Sequence, residues 1–274
     1  FKDLAKFGLP VQINGILGLF YGPLILLYLG KQVGAVNLGF YQFAASLTVL
    51  PLAIAEIVNR VVFPLGARVQ ADKIYFQKIV ERSLAIISAT TLPLVFIGIA
   101  AAPAVIHFIY TDRWLPSLPA IYLGLIQMGI MSFSGLSGQL LLSLGKSKVM
   151  RNMGIVFAVL TWILGPILIS RFNFVGMNLT GLLVSIRGLW LLISLMRKIR
   201  FSFWSNFLPY FMSSIASGFL AFILIGYFPR TIINLILIVG FASIFYLIFI
   251  FIIARKILRE NFKFLFSAFG GFDS

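Results

Sequence analysis

Long apolar stretches alternate along this chain with short segments in which lysine, arginine, proline and glycine gather. Eight such stretches stand out, at about 8–29, 36–65, 83–110, 117–144, 152–170, 175–195, 207–227 and 231–254. A helix needs about 20 predominantly apolar residues to cross the hydrocarbon core of a bilayer, and these runs have that length. The pattern predicts an all-α fold: a polytopic membrane helix bundle of about eight transmembrane helices. The second run is longer than the hydrocarbon is thick, so its ends must protrude or the helix must tilt.

Composition agrees. Of the 274 residues 61% are hydrophobic and 11% charged, against about 45–50% and about 25% in soluble domains, which excludes a water-soluble globule. The net charge of +15 would suggest nucleic acid as a partner, but the charges lie between the apolar runs and no nucleic-acid binding is expected. Their distribution is directional. One set of segments holds Lys2, Lys6, Arg68, Lys73, Lys78, Arg82, Lys146, Lys148, Arg151, Arg197, Lys198, Arg200, Arg255, Lys256, Arg259 and Lys263, and the alternate set only Lys31, Arg113, Arg171 and Arg230. By the positive-inside rule the first set is cytoplasmic, both termini of the segment are cytoplasmic, and an even number of spans is required. The connection 68–82 interleaves Val69, Ile74, Tyr75, Ile79 and Val80 with charges, which suits an amphipathic extension near the lipid headgroups or a solvated hairpin.

Polar groups inside spans mark where chemistry can sit. Arg187 lies ten residues before Arg197, about 15 Å along a helix and so near mid-bilayer; it is a candidate for meeting an anionic substrate, with structural pairing as the alternative. Glu56 precedes Arg60 by one helical turn, the favoured order for an ion pair, and the two suit either a gate or a structural pair at a helix end. In the first run Gln12 and Asn14 are candidate substrate-binding residues. Asn14, Gly18 and Gly22 share a face that would admit a neighbouring backbone closely, and Pro23 invites a kink. The fourth run carries Gln127, Ser132, Ser134, Gly135, Ser137, Gly138, Gln139 and Ser143, a stripe suited to an aqueous sugar path, with Gln139 the substrate-binding candidate, or to plain helix packing. Pro23 and Pro51 are candidate hinges. No catalytic residue is indicated: there is no cysteine, His107 is the single histidine, and no zinc-protease, nucleophile-elbow or phosphate-loop motif occurs. No metal and no cofactor are expected, and the chain is read as not an enzyme.

Several segments have a familiar order. FGLP at Phe7–Pro10, LGKQVGAVNLGFYQFAASL at Leu29–Leu47, RVVFPLGARVQAD at Arg60–Asp72, FIYTDRWLPSLPAIYLGL at Phe108–Leu125 and LLSLGKSKVMRNMG at Leu141–Gly154 together resemble the C-terminal half of the polysaccharide-transporter and O-antigen (lipid-linked oligosaccharide) flippases. These belong to the superfamily of multidrug, oligosaccharidyl-lipid and polysaccharide exporters. The resemblance implies two six-helix lobes, often followed by two more helices. On that scheme residues 1–200 are the second lobe, 201–274 hold the two additional helices and a cytoplasmic tail, and a first lobe precedes Phe1, which is not an initiator methionine. It further implies a multi-pass protein of the cell membrane that carries polyprenyl-diphosphate-linked oligosaccharide across it by alternating access, for lipopolysaccharide or other surface polysaccharide. The expected partners are that lipid-linked substrate, the bilayer and the missing N-terminal lobe of the same chain. The alternatives are a cation-coupled multidrug exporter, which needs an acidic coupling residue, and a membrane-embedded polymerase or glycosyltransferase, which needs large external loops.

Overall fold

The structure is a computed structural model that describes residues 2–228 and 231–253, with side chains from Gly8 onward. Its elements are α1 (Lys2–Leu19), a π-helical turn (Phe20–Leu24), α2 (Ile25–Thr48), α3 (Leu50–Arg68), α4 (Lys73–Val105), a second π turn (Ile106–Tyr110), a 3-10 turn (Asp112–Ser117), α5 (Leu118–Ser143), α6 (Ser147–Phe172), α7 (Phe174–Met196), α8 (Phe203–Tyr227) and α9 (Ile232–Ile253). Eight helices are long and apolar enough to cross a membrane, the number the apolar pattern predicts. Arg230, Arg255, Lys256, Arg259, Lys263 and the expected cytoplasmic tail lie outside the described residues.

Gly34 decides how the first part of the chain runs. Its φ of +76° lies in the left-handed region that glycine enters without a Cβ penalty, and it interrupts α2. Leu38 Cδ2 comes within 3.0 Å of where a Cβ on Gly30 would stand, although eight residues of straight helix span about 12 Å. Neighbours confirm a reversal. Before Gly34, Phe20, Ile25 and Leu29 meet Trp162, Gly165 and Ile169 of α6 in rising order. After it, Thr48, Asn59 and Gly66 meet Gly124, Gly135 and Ser143 of α5, again in rising order. Gly181 and Gly188 of α7 face Gln127 and Ser134 of α5, so α7 parallels α5 and its hairpin partner α6 opposes both. The two arms around Gly34 are therefore antiparallel. Val49, between α2 and α3, keeps helical angles of −71° and −25°, so that break is a joint within one crossing.

Local chemistry sets the other ends. The Asp72 carboxylate caps α4 by accepting from the Ile74 and Tyr75 amides at 2.9 and 3.1 Å, which offers partners to donors that a helix start leaves unbonded. Capped there, α4 runs 33 residues, about 50 Å. The connection after Arg68 is thus the first turns of α4 rather than a separate surface helix: Phe76 and Val80 are buried in the main core, while Ile74 and Tyr75 are exposed and Lys78 lies 5.2 Å over the Tyr75 ring. The Asn173 side chain accepts from the Phe174 amide at 2.7 Å and starts α7 after a two-helix turn.

α5 is the buried centre. Its Ser132, Ser134, Ser137 and Ser143 hydroxyls donate to carbonyls of their own helix at 2.8–3.0 Å, which removes their polarity and leaves small side chains against which α3, α4 and α7 close. α8 and α9 pack onto α4: Gly218 meets Phe96, Ser217 Oγ donates to the Ala242 carbonyl at 2.6 Å, and Tyr246 donates to the Ala89 carbonyl at 2.6 Å.

Candidate substrate cavity

Because the chain turns back at Gly34, α1 and α3 diverge toward the basic end of the bundle, each held by a different helix. α1 packs on α6, α3 packs on α5 and α4. Between the arms opens a cavity of about 550 Å³. Its lining brings together Asn14 and Tyr21 of the first arm, Leu52, Glu56, Asn59, Arg60 and Phe63 of α3, Met131, Ser134, Gly135 and Gln139 of α5, Met150, Met153, Gly154 and Phe157 of α6, and Ser185 and Leu191 of α7. Four candidates from the sequence, Asn14, Gln139, Glu56 and Arg60, thus converge on one space.

Two facing glycines make room for the two asparagines. The Asn14 carboxamide oxygen lies against Gly154, where no Cβ would fit, and Asn59 Nδ2 lies 3.2 Å from where a Cβ on Gly135 would stand. The expected close approach through Gly18 and Gly22 does not occur: an added Cβ on Gly22 would meet nothing within 4 Å, and one on Gly18 only the Tyr21 side chain. α1 forms a wall of the cavity, so its small residues face space rather than a helix. Of the polar stripe on α5, Ser134, Gly135 and Gln139 reach the cavity, whereas Ser132, Ser137 and Ser143 are buried packing residues.

Two candidates are placed elsewhere. Gln12 is exposed outside the lining. Arg187 is exposed on the outer face of α7, its guanidinium 5.3 Å over the Trp190 ring. Ser185, two residues before it, and Gly188, the residue after it, are buried, so helical phase turns Arg187 away from the cavity, and depth alone did not reveal phase. Glu56 and Arg60 share the cavity wall without closing an ion pair with each other. Both side chains stay exposed to the cavity mouth.

The two candidate hinges differ. Pro23 lies in the π turn Phe20–Leu24, where a proline removes a backbone donor and widens the helix. Trp162 of α6 donates its indole N–H to the Phe20 carbonyl at 2.9 Å. Pro51 is buried, and its carbonyl accepts from Ser132 and Thr91 at 3.3 and 3.5 Å, which anchors that joint to α5 and α4. Sequence reasoning missed Asn59, hidden in an apolar run between Glu56 and Arg60, and Trp162. The i, i+3 spacing of Asn59 from Glu56 is the signal that would have found it.

At the basic end, burial and the neighbouring Lys146 hold the Lys198 ammonium below its ordinary pKa, and Glu81 ties α4 to the start of α8 by accepting from the Ser202 amide at 2.9 Å.

Comparison with known proteins now has a site to refer to. A family model described as "Polysaccharide biosynthesis protein" matches residues 1–119, the part that contains α1, α3 and the turn between them. The teichuronic acid biosynthesis protein TuaB of Bacillus subtilis (strain 168) is 21% identical over 232 residues, covering 81% of this chain and 47% of TuaB. The lipid II flippase MurJ, in an inward closed conformation, has the same fold with a TM-score of 0.76 at 17% identity, covering 89% of this chain and 53% of MurJ. The chain spans about half the length of each. Taken together, the family model and TuaB support the polysaccharide-biosynthesis relationship read from the sequence, and MurJ shares the fold.

Proposed function

We propose that this chain forms one lobe of a transporter that flips polyprenyl-diphosphate-linked oligosaccharide across the cell membrane for surface polysaccharide biosynthesis, by alternating access. The observation that carries the proposal is the cavity of about 550 Å³ between α1 and α3, on which Asn14, Glu56, Asn59, Arg60 and Gln139 converge. Polar groups at membrane depth are costly unless a partner or water matches them. Arg60 is the cation that faces this space and suits a diphosphate through charge-assisted hydrogen bonds, while the prenyl tail stays in lipid. Arg187, on the outer face, is assigned no contact with substrate in this proposal. Residues 1–200 act as the six-span lobe and 201–274 as the appended helices, with a second lobe completing the path. The π turn at Pro23 lets α1 bend, and the joint at Pro51 rides with α4 and α5. Both termini of the segment lie in the cytoplasm, and the chain works as a transporter rather than a catalyst.

The test is genetic and direct. A strain that lacks the full-length gene is expected to lose surface polysaccharide and to recover it with the wild-type gene but not with an Arg60→Ala variant present in the membrane at normal level; unchanged polysaccharide in the deletion strain overturns the proposal. One observation favours a second reading, a cation-coupled multidrug exporter: Glu56 is a carboxylate facing the cavity. Ion-dependent drug efflux abolished by Glu56→Gln would establish that reading instead.

A further inference from the structure

The cavity contains a buried hydrogen-bond acceptor that a phosphate has no means of satisfying. Asn59 is 8% exposed, lines the space between α1 and α3, and its Oδ1 has no hydrogen-bond partner among the described residues. A buried carboxamide oxygen without a partner is costly, and such groups are rare enough in folded proteins to call for a reason. An acceptor needs a donor. At neutral pH a diphosphate diester presents only acceptor oxygens, so it can engage Arg60 but not Asn59 Oδ1. A sugar hydroxyl or an acetamido N–H supplies what is missing, and the carboxamide N–H of the same residue donates back to a ring or hydroxyl oxygen, the paired pattern that an amide offers.

Position supports this chemistry. Asn59 and Arg60 are consecutive on α3, so a group held by Arg60 at the cavity mouth places its next substituent deeper, toward Asn59, Gly135 and Gln139. The apolar walls there are Phe63, Phe157 and Tyr21, with the Tyr21 and Phe157 rings edge to face at 6.0 Å, faces against which the C–H side of a sugar packs. Gly135 fixes the amide: its missing Cβ leaves the 3.2 Å gap that Asn59 Nδ2 occupies.

We propose that Asn59 is a glycan-recognition residue, reading a hydroxyl or acetamido donor on the sugar nearest the diphosphate while Arg60 holds the phosphate. The assignment rests on the cavity being the substrate path.

The test uses the full-length protein in lipid nanodiscs and two soluble probes, citronellyl diphosphate and citronellyl diphosphate bearing N-acetylglucosamine, with binding read by native mass spectrometry. Wild type is expected to bind the sugar-bearing probe more tightly. Asn59→Ala loses about three- to tenfold on that probe, the range for one or two neutral hydrogen bonds, and nothing on the bare diphosphate. Gly135→Ala, which keeps Asn59 but crowds its seat, moves the same ratio in the same direction by less and guards against a variant that fails to fold. Arg60→Ala weakens both probes. Equal loss on both probes with Asn59→Ala, or no change on either, overturns the recognition role while leaving the transport proposal standing. Failure of wild type to bind either probe overturns the substrate path itself.

Discussion

The asparagines of the cavity show how single side chains are set by what faces them. Asn14 and Asn59 sit on different helices, and each fills the gap left by a glycine of the helix it faces. This makes Gly154 a functional position although it bears no polar atom. Gly154→Ala is expected to displace the Asn14 carboxamide and lower export several-fold. Gly22→Ala, where an added methyl meets nothing within 4 Å, is expected to leave export unchanged; glycan quantification on complemented deletion strains checks both. Arg187 makes the complementary point. Its place along the helix was legible from the sequence, but its phase was not, because its neighbours Ile186, Leu189 and Trp190 are apolar and suit either lipid or protein. Only the packing of Ser185 and Gly188 against α5 and α6 turns the arginine outward.

Among elements, α4 and α8 fit closely outside the cavity. A Cβ on Gly218 would stand 2.9 Å from both the Phe96 Cβ and the Phe96 carbonyl oxygen, and the backbone of a long helix does not yield as a side chain does. Gly218→Ala is therefore expected to destabilise the protein by about 1–3 kcal/mol, the usual range for overpacking, seen as a lower melting temperature in detergent. Helix count and most helix cores were legible from apolar periodicity. Helix starts were less so: α4 begins ten residues before its apolar run because Asp72 caps it and Phe76 and Val80 find buried neighbours, a tertiary reward that hydropathy does not record. The same holds for Pro51. Chain chemistry marks it as a weak point, yet the hydroxyls of Thr91 and Ser132 take its carbonyl and tie the joint down.

For the whole molecule, orientation in the membrane is the consequence most open to test. These 274 residues contain no cysteine, so single cysteines placed in them report position once any cysteine elsewhere in the full-length protein is replaced. Thr111→Cys, at the sparsely charged end, is expected to react with a membrane-impermeant maleimide in intact cells, and Lys73→Cys only after lysis; the opposite pattern reverses the orientation drawn from the basic loops. That expectation came from the sequence alone, as did the membrane environment, the number of spans and the resemblance to flippases, because each depends on sums over many residues: total apolar length, total charge per loop, order of motifs. What tertiary structure decided is where those residues face. The reversal at Gly34 sets α1 and α3 on either side of the cavity and admits Asn59 to it, while helix phase excludes Gln12 and Arg187. Depth in a membrane is written in one dimension along the chain, whereas the side of a helix that meets a cavity depends on which neighbours pack against the other sides, and that is settled only when all the helices are in place.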